Sequence, residues 1–111
     1  MDLRLDVREQ GGWSILEVAG EVDVATAPRL REQLIALVNE QRYRIIVDLD
    51  AVDFIDSTGL GVLIGAVKRV RTNNGDLALV CTESRILKVF EITGLLSVFA
   101  IHDTVDAAIA S

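Results

Sequence analysis

The chain opens on an alternation. Residues 2–8 read Asp-Leu-Arg-Leu-Asp-Val-Arg, polar and apolar by turns, which is the period of a strand with one buried face. Gly11-Gly12 is a turn signal, and Trp13-Ser14-Ile15-Leu16-Glu17-Val18 reads as the returning strand, so an antiparallel hairpin is predicted with Trp13 as a packing residue at the strand start. Gly20 to Ala25 reads as a connecting loop carrying Glu21 and Asp23. Thr26 suits an N-cap, Pro28 falls close to the first helical position, and Leu30, Leu34, Leu37 and Val38 recur at helical spacing to about Gln41. Arg44 to Leu49 reads as a buried third strand. Leu60, Leu63, Ile64, Val67 and Val70 mark a second helix that stops at Asn73-Asn74-Gly75. Residues 76–82 read as a fourth strand. Ser84 or Thr82 is the expected cap of a third helix holding Ile86, Val89 and Phe90, with Gly94 as its stop. Ser97 to Ile101 is then a short fifth strand, and residues 104–110 a final short helix.

No repeat, low-complexity stretch or linker interrupts this order, and 111 residues suffice for one core but not two. The prediction is a single α/β domain over residues 1–111. Its sheet is mixed and five-stranded, a hairpin first and mostly parallel strands after, because helix-sized crossovers join the later ones. About four helices pack on it. With aromatics at 5%, the core is built from Val, Ile, Leu and Ala.

The net charge of −6 argues against non-specific nucleic-acid binding, which needs Lys and Arg to neutralise phosphates. The one basic cluster, Lys68, Arg69 and Arg71, falls late in the second helix, where cations complement the helix dipole. Cys81 has no second cysteine to pair with and lies in an apolar run, as a buried structural thiol does. No basic-then-apolar leader and no run of membrane-spanning length is seen, which predicts a cytoplasmic protein with no membrane contact.

Within that frame the stretch from Val52 to Gly61, Val-Asp-Phe-Ile-Asp-Ser-Thr-Gly-Leu-Gly, carries the chain from strand into helix. Ser57 and Thr58 are the candidate N-cap residues, with Asp56 just before them. A hydroxyl there can accept from free backbone N–H groups, and such a helix start stabilises negative charge. A serine so presented is also a place to add or remove a phosphate. A phosphoserine would bring about −1.5 to −2 charge beside Asp56 and near Asp23. On residue type alone, Ser57 as a simple cap remains the plainer reading.

Other chemistries fit less well. Gly59-x-Gly61 after a strand has the context of a dinucleotide loop, but Ile64 stands where the third glycine belongs and no Gly-Lys-Ser/Thr triplet occurs. The glycines are expected instead to let the loop turn tightly and the helix pack closely. Ser57 lacks the first glycine of a nucleophile elbow, and the single histidine, His102, reads as a surface residue. Asp48, Asp50, Asp53 and Asp56 could in principle hold Mg²⁺, yet Asp53 and Asp56 are expected beyond the strand in the loop, as solvated acids. No cofactor and no catalytic set is predicted.

The segment Asp56-Ser57-Thr58-Gly59-Leu60-Gly61, preceded by Val52-Asp53-Phe54-Ile55, resembles the signature of the STAS family, specifically the bacterial anti-sigma factor antagonists. Gly20-Glu21-Val22-Asp23 with Thr26-Ala27, and the segment of Phe90 and Thr93-Gly94-Leu95, resemble the family's other recurrent pieces in the expected order. The resemblance implies partner switching. The unphosphorylated antagonist binds an anti-sigma factor that is also a serine kinase, which frees the sigma factor. Phosphorylation of the serine after the motif aspartate, here Ser57, releases the antagonist, and a PP2C-type phosphatase reverses the step. The family's functional aspartates map to Asp23 and Asp56, and Asp23, Asp56, Ser57 and Thr58 would line one face shaped by Gly59 and Gly61. The chain would be a substrate and a binding module, not an enzyme. Two alternatives stand beside it: a STAS module of another system, such as a stress-sensing complex or transporter accessory protein, and a small nucleotide-binding domain.

Overall fold

A computed structural model describes residues 2–111. The chain forms β1 (Leu3–Gln10), β2 (Trp13–Val22), α1 (Ala27–Asn39), β3 (Arg44–Ile55), α2 (Ser57–Thr72), β4 (Asp76–Val80), α3 (Ser84–Ile92), a 3-10 turn (Leu95–Ser97), β5 (Ala100–His102) and α4 (Val105–Ala110). The five strands lie in one sheet in chain order. β1 and β2 are antiparallel, and every later pairing is parallel. This is the α/β architecture that the hydrophobic pattern predicts.

Each parallel strand adds beside the previous one in the same direction. Right-handed crossovers taken in one direction place their helices on one face. α1, α2 and α3 accordingly share that face, where Leu30, Leu34, Leu37, Leu63, Val67, Val70, Ile86 and Phe90 close the main core over Leu16, Val18, Ile45, Val47, Leu77 and Leu79. The opposite face is covered at one end only. There α4 packs Ala108, with Val105 and Ile109, on Trp13, Ile15, Ile46, Ala78 and Val80.

Several boundaries differ from the sequence reading. β2 runs on to Val22 instead of ending near Val18, so Gly20 and Glu21 are strand residues. Gly20 sits there at φ +109, and a Cβ would stand 2.1 Å from the Asp2 carbonyl oxygen, so only glycine permits this approach of β1. β3 extends to Ile55, which puts Asp53 in a strand and not in a loop. Its pairing with β2 slips twice: Glu17 faces Asp48 but Ala19 faces Ala51, and Gly20 faces Val52 but Glu21 faces Phe54. Each slip inserts one residue in β3, so its inward positions become Leu49, Val52 and Ile55, three apart instead of two. The expected alternation breaks, and the strand looks finished at Leu49 when it is not.

The expected fifth strand from Ser97 is replaced by the 3-10 turn, and β5 begins at Ala100. Gly94 at φ +74 stops α3 as expected, and Phe99 turns inward, edge-on to Phe90 at 5.8 Å between ring centres. α1 ends at Asn39, two residues before the expected Gln41. β4 ends at Val80, and Glu83, not Ser84 or Thr82, caps α3 through a bond from the Arg85 N–H. Cys81 is buried as predicted, and burial pushes its thiol pKa up.

Candidate functional site at the start of α2

The site is built where β2 and β3 end together. Val22 pairs with Ile55, and the Asp56 N–H donates to the Val22 carbonyl at 3.1 Å, which prolongs the parallel ladder by one bond. The next residues, Asp23 and Asp56, therefore leave the sheet side by side, one toward α1 and one into α2.

Asp56, not Ser57 or Thr58, is the N-cap of α2. Its backbone is extended (φ −107, ψ −175), and its Oδ1 accepts from the Thr58 N–H at 2.9 Å and the Gly59 N–H at 3.2 Å. Capping needs that extended conformation one residue before the helix, and the sheet imposes it on Asp56. Ser57 is thereby the first helical residue. It is exposed, as is Thr58, and among the described residues its hydroxyl has no hydrogen-bond partner. The serine is left free because the aspartate does the structural task.

Asp23 is more occupied than a loop carboxylate. Its Oδ1 accepts from the Ala25 and Thr26 N–H groups at 2.9 and 3.0 Å, and its carbonyl accepts from the Ala27 N–H at 2.7 Å. The bond from the Thr26 N–H leads the causes that hold its carboxyl below the usual range. Thr26 does not cap α1 with its side chain as expected. Its backbone is already helical, and its hydroxyl reaches backward, accepting from the Asp23 N–H at 2.9 Å and donating to the Glu21 carbonyl at 2.8 Å. The pair locks the β2–α1 turn, and Pro28 opens the helix as predicted.

The two glycines do different things. A Cβ on Gly59 would stand 2.5 Å from Val22 Cγ1 and 2.9 Å from Ile55 Cγ1, so Gly59 lets α2 seat on the strand ends. Gly61 has nothing within 4 Å and is exposed, so the packing role expected of it is not found. It keeps the helix surface bare one turn beyond Ser57.

The rival chemistries lose ground on geometry. The Thr58 and Gly59 N–H groups that would cradle a nucleotide phosphate already bind the Asp56 carboxylate. His102 lies on β5, with β4 between it and β3, and its Nε2 is 3.4 Å from the Ser111 hydroxyl. The acidic residues disperse. Asp50 Oδ1 accepts from the Thr82 N–H and hydroxyl at 2.7 and 3.1 Å, whereas Asp48 Oδ1 accepts from the Asp50 N–H. No group of three or more potential metal ligands occurs among the described residues. What sequence reasoning passed over is that Phe54 and Val24, on either side of this site, are exposed. No local signal marked Phe54, because the three-residue inward period of late β3 that leaves it outside follows from the slips against β2.

The STAS domain family matches residues 4–108. The chain belongs to that family. The anti-sigma-B factor antagonist of Bacillus subtilis strain 168 is 40% identical over 95 residues, covering 86% of each chain. The crystal structure of an anti-sigma factor antagonist from Mycobacterium paratuberculosis superposes with a TM-score of 0.90 at 28% identity, covering 98% of this chain and 92% of that one. The Bacillus cell fate determinant SpoIIAA in its phosphorylated form has a TM-score of 0.74 at 20% identity, covering 96% and 97%, a likeness of fold. No helix among the described residues of this STAS domain is long and apolar enough to cross a membrane.

Proposed function

We propose that this STAS domain is an anti-sigma factor antagonist that works by partner switching, with Ser57 as the switch. Unphosphorylated, it binds an anti-sigma factor that is also a serine kinase and so frees the sigma factor. Phosphorylated on Ser57, it lets go, and a PP2C-type phosphatase restores it. Asp23, Asp56, Ser57, Thr58, Gly59 and Gly61 form or shape the contact. The chain acts as substrate and binding module in the cytoplasm, and performs no catalysis itself.

The observation that carries this reading is the free, exposed hydroxyl of Ser57 at the first position of α2, beside a cap that Asp56 already satisfies. A phosphate there finds the Thr58 and Gly59 N–H groups already bound to Asp56, whose carboxylate is its neighbour in the chain. The helix start tolerates that charge, so the fold survives, and on exposed Ser57 the added charge and bulk face whatever docks there. The family membership and the relatives named as antagonists support the same reading.

The test uses the anti-sigma factor kinases encoded in the source genome. Wild type and Ser57→Ala should bind one of them, Ser57→Asp should bind at least about 100-fold more weakly, and ATP should release only wild type, with the added mass on Ser57. Equal binding of Ser57→Ala and Ser57→Asp would overturn the reading.

A further inference from the structure

Phe90 and Phe99 are buried in the core, but the third phenylalanine, Phe54, is 48% exposed. It lies two residues before Asp56 and is paired with Glu21. Val24, next to Asp23, is 72% exposed on the turn into α1. Both stand at the end of the β2–β3 pair that carries Ser57. The fold has no use for either side chain: late β3 buries Val52 and Ile55, and α1 buries residues only from Ala27 onward. Glu21 is paired with Phe54, Asp53 and Asp23 are the chain neighbours of Phe54 and Val24, and Asp56 follows Phe54 two residues on; none of these four is ion-paired among the described residues. An apolar centre with an acidic rim, on a chain of net charge −6, complements a basic surface with a small apolar recess and repels an acidic one.

The geometry points to Phe54, together with Val24, as the apolar anchor by which the anti-sigma factor docks. The partner would offer a hydrophobic recess rimmed by Lys or Arg and cover Ser57 in the same footprint. This rests on the partner-switching reading and adds to it the chemistry of the partner's face. The division of labour follows from physics. Rim charges act over distance and set the association rate, whereas a desolvated aromatic anchor sets how long the complex lasts. Phosphate on Ser57, covered in the same footprint, adds bulk and a hydrated dianion that must be desolvated where the anchor seats, and this cost holds the anchor out of its recess although the partner's rim is basic.

The measurement is binding kinetics of the kinase identified above, at two salt concentrations, with each variant first checked for an unchanged melting curve. Phe54→Ala should speed dissociation at least about tenfold and Val24→Ser several-fold, while Asp53→Lys should slow association and flatten its salt dependence. Leu96→Ser is the control, because it removes another exposed apolar side chain at the far end of α2. Arg71 there donates to the Val98 carbonyl at 3.0 Å. Fourteen residues of helix, about 21 Å, separate Arg71 from Ser57. Unchanged kinetics in Phe54→Ala, with Ser57→Asp still abolishing binding, would overturn the anchor and leave the switch standing. Equal losses from Leu96→Ser would also overturn it. So would a wild-type dimer in sedimentation that Phe54→Ala dissolves, since the occupant would then be a second copy. A wild type that binds none of the kinases removes the switch reading and the anchor with it.

Discussion

Asp56 and Ser57 are both residue types that can cap a helix, and only one of them does. The aspartate has the extended backbone and caps α2, while the serine, one position on, keeps an unengaged hydroxyl. Asp56→Ala should therefore cost about 1 kcal/mol in urea denaturation, the usual worth of an N-cap, whereas Ser57→Ala should change stability by only a few tenths of that. A reversed order would make Ser57 the structural residue. The glycines separate in the same experiment. Gly59→Ala forces a methyl group into Val22 and Ile55 and should destabilise by roughly 1–3 kcal/mol. Gly61→Ala meets open space inside an exposed helix turn and should stabilise by up to about 1 kcal/mol. If Gly61→Ala nevertheless weakens kinase binding, the bare surface serves the partner and not the fold.

At the scale of elements, β3 organises the molecule. Its first half pairs on both sides, with β2 and β4. Its second half, past Asp48, keeps only β2 and is supported by α3 packing and by the bonds from Asp50 to Thr82. The two bulges carry it up to the site and turn Phe54 outward. Asp48 lies where the open, charged face of the sheet begins, and burial raises its carboxyl pKa above the ordinary value. A raised folded-state pKa contributes stability that is complete below the unfolded value of 3.8 and is lost as pH rises through the folded value. Asp48→Asn keeps an oxygen to accept from the Asp50 N–H but does not ionise. It should match wild type in acid below that value and be the more stable protein at neutral pH. Urea midpoints at the two pH values check this, and equal differences at both would refute it.

At the scale of the whole molecule, the proposed switch would be a change of surface and not of shape. Phosphorylation on Ser57 would take the net charge from −6 to about −8 at one end of the domain, with no core residue involved. Phosphorylated protein should keep the far-ultraviolet dichroism of the unmodified form and melt within about 5 °C of it, because added negative charge at an exposed helix start is tolerated and is worth at most about 1 kcal/mol. A larger shift would mean that the helix start reorganises.

How much of this was legible follows from what each feature depends on. The apolar periods, Gly11-Gly12, Pro28, Asn73-Asn74-Gly75 and Gly94 are local signals. From them came the five strands, four helices and mixed sheet, and the motif from Asp56 to Gly61 pointed to the site. Local signals failed where a neighbour sets the rule. Gly20 looks like a loop residue until β1 is beside it, and late β3 looks like a loop because its inward period follows slips against β2. The sequence alone determined the class of fold, the order of elements and the stretch that matters, because hydrophobic spacing and turn residues act within a few positions of the chain. Only the tertiary structure decided that Asp56 caps and Ser57 is free, that Gly59 packs while Gly61 does not, and that Phe54 faces out. Each of these turns on how the ends of β2 and β3 lie against α2, a contact between segments distant in sequence.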